Sequence, residues 1–166
     1  MFSAWIIDNT KDPACQCVDL PDDHLPEGEI TLRVLYSGIN YKDALAITQQ
    51  GKIFRHWPMV PGIDLCGDVL HSRHPDWKQG DTVIVTGQGL GESHYGGLAN
   101  KARVPASWLI KLPANLSAKD AMALGTAGLA AMLCIIRLEQ AGISPNSGSV
   151  LVSEHRVASV VSRSGC

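Results

Sequence analysis

The chain changes character near residue 116, and that change limits its possible folds more than any other feature. Before it, short apolar runs are broken by Gly, Pro and Asp; after it comes a long apolar segment without alternation. Strands are expected over 4–8, 15–20, 29–36, 65–70, 82–85, 98–104 and 108–111. Within 29–36, Ile30, Leu32 and Val34 fall on one face and Thr31 and Arg33 on the other, the period of two of a half-buried strand. Many short strands at this spacing predict an all-β barrel or sandwich.

Past residue 116 the period lengthens. Ser117 is placed to cap a helix, with Asp120 at the third helical position as a weaker form of the capping box. Gly125 and Gly128 interrupt the run, and a second helical segment is expected over about 127–141. Leu129, Met132, Leu133, Ile135, Ile136 and Leu138 make it apolar all round, so it should be buried on several sides. Gly142 and Pro145 stop it. Residues 149–153 read as one buried strand, the entry to an α/β domain. Seventeen residues remain from 150 to 166, fewer than one βαβ unit of roughly 30 residues. A complete dinucleotide-binding sheet is therefore not expected here.

Composition excludes several classes. Sixteen acidic residues against fourteen Lys and Arg give a net charge of −2. There is no basic run, so no nucleic-acid or anionic-membrane partner is expected. The N-terminus has neither the charged nor the apolar region of a secretory signal. The longest uncharged stretch, 121–136, falls short of a membrane span. Five cysteines, an odd number with Cys66 and Cys134 inside apolar segments, suit reduced thiols and a cytoplasmic location.

The motifs sort as follows. Gly87-x-Gly89-x-Gly91 follows a strand, but its third glycine comes one place early for a dinucleotide fingerprint. The residues after it do not begin a helix, so it reads as an active-site or structural loop. At the expected place for that fingerprint, after 150–153, stands Glu154-His155-Arg156, with no glycine between Gly148 and Gly165. Close approach to a pyrophosphate needs such glycines. The six histidines lack companions at ligand spacing, so no metal site is expected. The richest cluster is 37–45, where Asn40, Tyr41, Lys42 and Asp43 offer an amide, a phenol, an ammonium and a carboxylate between a strand end and a short helix. On residue chemistry alone, a site and a plain strand-end turn with a solvated Lys/Asp pair both remain open.

Taken together, the segments 37–48, 51–53, 58–64, 86–97 and 125–133 resemble the zinc-independent medium-chain dehydrogenase/reductases. The resemblance is to the quinone-oxidoreductase-like acrylyl-CoA reductase subgroup and covers about 1–153. It implies a GroES-like, partly open β-barrel followed by helices and the first strand of an incomplete Rossmann domain. The implied boundaries are 1–116 for the catalytic domain, 117–153 for the connecting helices and first strand, and 154–166 for an aberrant tail. Ser37 stands where the zinc-dependent branch has Cys, and 61–64 lacks its Gly-His-Glu, so no catalytic zinc is implied. The resemblance implies NADPH as hydride donor and an α,β-unsaturated acyl thioester, quinone or enone as acceptor. It places Tyr41 against the cofactor, Asn40 beside nicotinamide and substrate, and Thr126 near the nicotinamide end. Asn40 and Tyr41 are then the candidate catalytic residues. Two readings follow: an NADPH-dependent oxidoreductase by descent, inactive alone in this truncated form and binding no NADPH tightly, or a non-catalytic GroES-like binding module. Both leave the apolar helix uncovered and predict self-association through it.

Overall fold

The computed structural model describes residues 1–11 and 14–150. Two antiparallel strands, β1 (Phe2–Ile7) and β2 (Cys15–Leu20), form a ribbon in full register from Phe2↔Leu20 to Ile7↔Cys15. Five more strands make a second antiparallel sheet: β3 (Ile30–Gly38), β4 (Asp64–Ser72), β5 (Thr82–Thr86), β6 (Lys101–Val104) and β7 (Ile110–Lys111). Their order is β6-β3-β4-β5-β7. The alternation seen in the sequence drives this arrangement: Ile30 and Leu32 are fully buried, and Val69, Val83, Val85, Ala102 and Val104 meet them in one core. Register irregularities in β3 at Thr31/Leu32 and Val34/Tyr36 bend the strand, as bulges do. Backbone bonds from Ile7 to Met59 and from Trp5 to Leu98 tie the ribbon to the sheet. The result is the partly open barrel expected from the sequence.

Two expected strands differ in detail. Strand 98–104 is shortened to Lys101–Val104 because Leu98 gives its N–H to the Pro61 carbonyl and Ala99 only bridges Ala4. Over 108–111 the chain makes a single helical turn at Ala106–Trp108 and then the two-residue β7. Pro105, fixed in an extended conformation ahead of that turn, has no N–H to extend β6 further.

Helix α1 (Tyr41–Ile47) follows β3 directly, and α2 (Ala118–Gln140) follows β7. At its start Ser117 Oγ accepts from the Asp120 N–H at 3.1 Å, while the Ser117 hydroxyl donates to the Asp120 carboxylate at 2.6 Å. The second half of the box is thus made by the Ser117 side chain rather than its backbone N–H. At the far end Gly142 takes φ +81. Gly142 and Ile143 donate to the carbonyls of Glu139 and Leu138, the paired bonds of a Schellman stop. The expected break lies at Gly125 alone, where φ is 49 and ψ is −155.

The composition of α2 calls for burial, and past the break the helix is uncovered. Within α2 only Ala121 and Met122 are buried; they pack with Cys66 of the sheet. Beyond the break, Leu129, Met132 and Leu133 are 48–56% exposed. No described element lies against that segment, so its composition calls for burial that these residues do not supply. The helix also runs to 23 residues, longer than the uncharged stretch, and has the length and composition of a membrane-crossing helix. Its first turns nevertheless pack on the barrel. Of the expected strand 149–153, Ser149 and Val150 lie in no strand, and 151–153 fall outside the described residues, as does the tail 154–166.

Unequal burial should appear as unequal stability. Each uncovered large apolar side chain forgoes roughly 1.5–3 kcal/mol. Amide hydrogen exchange by mass spectrometry is expected to show 126–140 exchanging much faster than β3, β4 and β5. Sedimentation of the 166-residue chain should show a weight-average mass that rises with concentration. Equal protection in a strictly monomeric sample would contradict the exposure described.

Candidate functional site

β3 and β4 end together at Gly38↔Asp64, and every candidate residue gathers at that end of the sheet. The turn leaving β3 presents Ile39, Asn40 and Tyr41. Asn40 precedes α1 in extended conformation, and its backbone N–H donates to Asp43 Oδ2 at 2.8 Å. The other Asp43 oxygen accepts the N–H groups of Gly62 and Ile63 at 2.9 and 3.2 Å. Asp43 is therefore a buried clasp between the start of α1 and the segment entering β4, not half of a solvated Lys/Asp pair. Burial pushes its carboxyl above the ordinary aspartate value, opposed by the three backbone N–H groups. Lys42 points elsewhere and pairs with Glu92 at 2.8 Å.

Asp64 is the second buried carboxylate and is fully enclosed. Its Oδ2 accepts from Asn40 Nδ2 at 2.8 Å and from the Thr126 N–H at 2.8 Å; its Oδ1 accepts the Thr126 hydroxyl at 2.6 Å. The break at Gly125 makes this possible. It frees the Thr126 N–H to face outward as the first donor of a new helical segment, where a carboxylate is the favoured partner. A side chain at 125 would collide with it: a Cβ there would lie 2.7 Å from Asp64 Oδ2. Gly38 is equally constrained, its Cβ position being 2.9 Å from the Met122 carbonyl oxygen. Ser37 Oγ donates to the Asp64 backbone oxygen at 2.8 Å, so the position of interest for zinc in the related branch is a strand-end brace here.

The glycine loop is structural at its far end. Gly96 donates to the Val60 carbonyl at 2.7 Å and Gly97 to the Gly62 carbonyl at 2.8 Å. A Cβ at Gly96 would meet the Pro61 oxygen. This clamps 60–63, the segment that Asp43 holds from the other side.

The structure thus brings Asn40 and Thr126 together through one carboxylate and sets Tyr41 beside them, 55% exposed. The Tyr41 hydroxyl makes no hydrogen bond among the described residues, whereas Asn40 has committed one of its two amide hydrogens. The Thr126 hydroxyl donates its hydrogen bond to Asp64, so its oxygen is left as an acceptor. Sequence reasoning passed over Asp43 and Asp64 as site organisers. Their signal was available only as two acidic residues inside otherwise apolar stretches, 44–47 after one and 59–66 around the other. Among the described residues no group of three or more His, Cys, Asp or Glu is arranged to hold a metal.

Comparison with known proteins places these observations in context. The alcohol dehydrogenase GroES-like domain family matches residues 26–114. The chain is 51% identical over 134 residues to an Escherichia coli K12 protein named as a probable acrylyl-CoA reductase, AcuI, covering 81% of this chain and 41% of the relative. It is 44% identical to the Ruegeria pomeroyi acrylyl-CoA reductase AcuI, covering 92% of this chain and 47% of the relative. The crystal structure of the Salmonella enterica yhdH oxidoreductase in complex with NADP superposes with a TM-score of 0.85 at 49% identity, over 88% of this chain and 45% of that one. The chain spans less than half the length of each of these proteins.

The two clasps make separable predictions. Asp43→Ala strands three backbone N–H groups, those of Gly62 and Ile63 buried, and is expected to lower the unfolding free energy by about 3 kcal/mol in denaturant titration. Its carboxyl, followed by carbon-detected NMR, should titrate above the ordinary 3.8. Because the folded pKa is raised, the stability linked to this proton is present below the ordinary value and is lost as pH rises through the folded one. Gly125→Ala should cost about 2 kcal/mol through strain and the Asp64 collision, with the loss of exchange protection centred on Thr126.

Proposed function

We infer, from a chain that belongs to the alcohol dehydrogenase GroES-like domain family and to the quinone-oxidoreductase-like, acrylyl-CoA reductase branch of the medium-chain dehydrogenase/reductases, that these residues supply the substrate-facing half of an NADPH-dependent reductase. The acceptor is an α,β-unsaturated acyl thioester of the acrylyl-CoA type or a related enone. The observation that carries this reading is the Asn40–Asp64–Thr126 bridge, which holds an amide donor and a hydroxyl acceptor at the open end of the β3–β4 pair beside an unbonded phenol.

The donor set fits a nicotinamide and a polarised carbonyl side by side. Thr126 Oγ1, whose hydroxyl donates to Asp64, would accept from a carboxamide N–H. NADPH, when bound, supplies a hydride for the β-carbon of the acceptor. The remaining Asn40 N–H and the Tyr41 hydroxyl would serve as donors to the thioester oxygen, where negative charge would develop on reduction of the double bond. Donors fixed in advance stabilise that charge without reorganising during the reaction. Asp64 keeps Asn40 in one orientation, and Asp43 keeps the turn that carries it. The cytoplasm, where thiols such as the buried Cys66 stay reduced, suits this role.

The test is a chimera in which residues 1–150 replace the matching part of the Escherichia coli relative. NADPH oxidation with acryloyl-CoA is expected. Asn40→Ala and Tyr41→Phe should each lower kcat about 100-fold, the usual loss for one oxyanion donor, while Lys78→Ala stays near wild type. Equal effects of all three would reduce the Asn40–Tyr41 segment to a structural role. The 166-residue chain alone is expected to show no micromolar NADPH binding by calorimetry. Micromolar binding would mean that it holds a cofactor site of its own.

A further inference from the structure

The opposite end of the β3–β4 hairpin carries a cluster that the proposed reaction does not use. Thr31 on β3 pairs with His71 on β4 and with Arg103 on β6. Ile30 and Leu32 on either side of Thr31 point into the core, so His71, Thr31 and Arg103 lie in one row across the outer face of the sheet. Arg73 and the Gly28–Glu29 turn close the row into a depression of about 240 Å³. Both guanidinium groups, of Arg73 and Arg103, line this depression, and neither has an ion-pair partner among the described residues.

The neighbouring row shows what this sheet does with cations elsewhere. There Arg33 pairs with Asp68 at 2.6 Å and Lys101 with Asp22 at 2.9 Å. Lys42 and Lys111 likewise each find a carboxylate. Arg73 and Arg103 are instead fixed by neutral oxygens. Arg73 Nη2 donates to the Gly28 carbonyl at 2.7 Å; Arg103 Nε donates to Thr31 Oγ1 at 3.3 Å and its Nη1 to the Leu25 carbonyl at 3.5 Å. These bonds orient both planes and leave most of their N–H groups uncommitted, since each guanidinium carries five. The carboxylate at the rim, Glu29, has turned one oxygen to the Ala106 N–H at 3.0 Å.

We propose that this depression, formed by Arg73, Arg103 and His71, is a binding site for a phosphate dianion, either free or as a phosphomonoester group on a larger molecule. Two oriented guanidinium groups present paired donors that match tetrahedral phosphate oxygens, and a histidine ring offers an N–H in either charge state. Glu29 opposes the bound charge, which keeps the site selective for a ligand able to engage both arginines at once.

The test uses the 166-residue chain and NMR titration of its backbone amides with inorganic phosphate, adenosine monophosphate and coenzyme A, against sodium chloride at matched ionic strength. Saturable shifts at Thr31, His71, Arg73 and Arg103 are expected with the phosphates and not with chloride. Tighter binding of the nucleotides than of inorganic phosphate identifies a phosphomonoester on a larger molecule, and equal binding identifies the free ion; both support the site. Arg73→Gln and Arg103→Gln should each weaken binding about tenfold, the equivalent of one charge-assisted bond worth roughly 1.4 kcal/mol. Glu29→Gln, which keeps an acceptor for Ala106, should tighten it. Chloride-like shifts, or phosphate affinity unchanged in both arginine variants, would overturn the proposal.

Discussion

The fully enclosed carboxylate of Asp64 joins the two parts of this molecule that its sequence keeps farthest apart in character. It accepts from Asn40 at the end of β3 and twice from Thr126 at the break in α2. A buried carboxylate without partners carries a desolvation cost of several kcal/mol, so its enclosure is tolerable only while all three donors are present. That requirement fixes the neighbours. Gly125 must leave helical geometry to release the Thr126 N–H, and Gly38 must stay without a side chain for α2 to approach. The kink, the close helix–sheet contact and the orientation of Asn40 are consequences of one charge.

Asp43 repeats the device one step outward. Its oxygens bind three backbone N–H groups from the turn and from 62–63, while the glycine loop clamps the same segment from behind through Gly96 and Gly97. The site therefore stands on backbone held by buried acids, and the exposed groups, Tyr41 and the free Asn40 hydrogen, are few. Among the described residues no buried side-chain polar atom is left without a partner. The uncommitted donors all lie toward solvent, where a ligand can reach them.

Past the break in α2 the exposed surface is apolar rather than polar. The first turns of α2 are packed by Ala121 and Met122, and everything past the break offers leucine, isoleucine and methionine to water. The relatives that match this chain are more than twice as long as the matched part.

The sequence by itself determined β3 by its alternation with a period of two, and placed β1, β2, β4 and β5 in short strand-like runs. It also determined the stops at Ser117 and Gly142, the break at Gly125, and the turn 37–45 as the richest chemistry. These are local properties: side-chain spacing, cap geometry and φ freedom act within a few residues. For α2 it showed only that the helix needs burial, because an apolar helix shows what it needs and not what is present to cover it. It gave Asp43 and Asp64 no role, because the donors that make a buried acid tolerable sit up to 62 residues away for Thr126 and Asp64. Spacing along the chain carries no trace of such a pairing. The same holds for Thr31, His71 and Arg103, which become a row only when β3, β4 and β6 come into register. Local steric preference is written in the order of residues, while partnership between distant charges exists only once hydrogen bonding has aligned the strands.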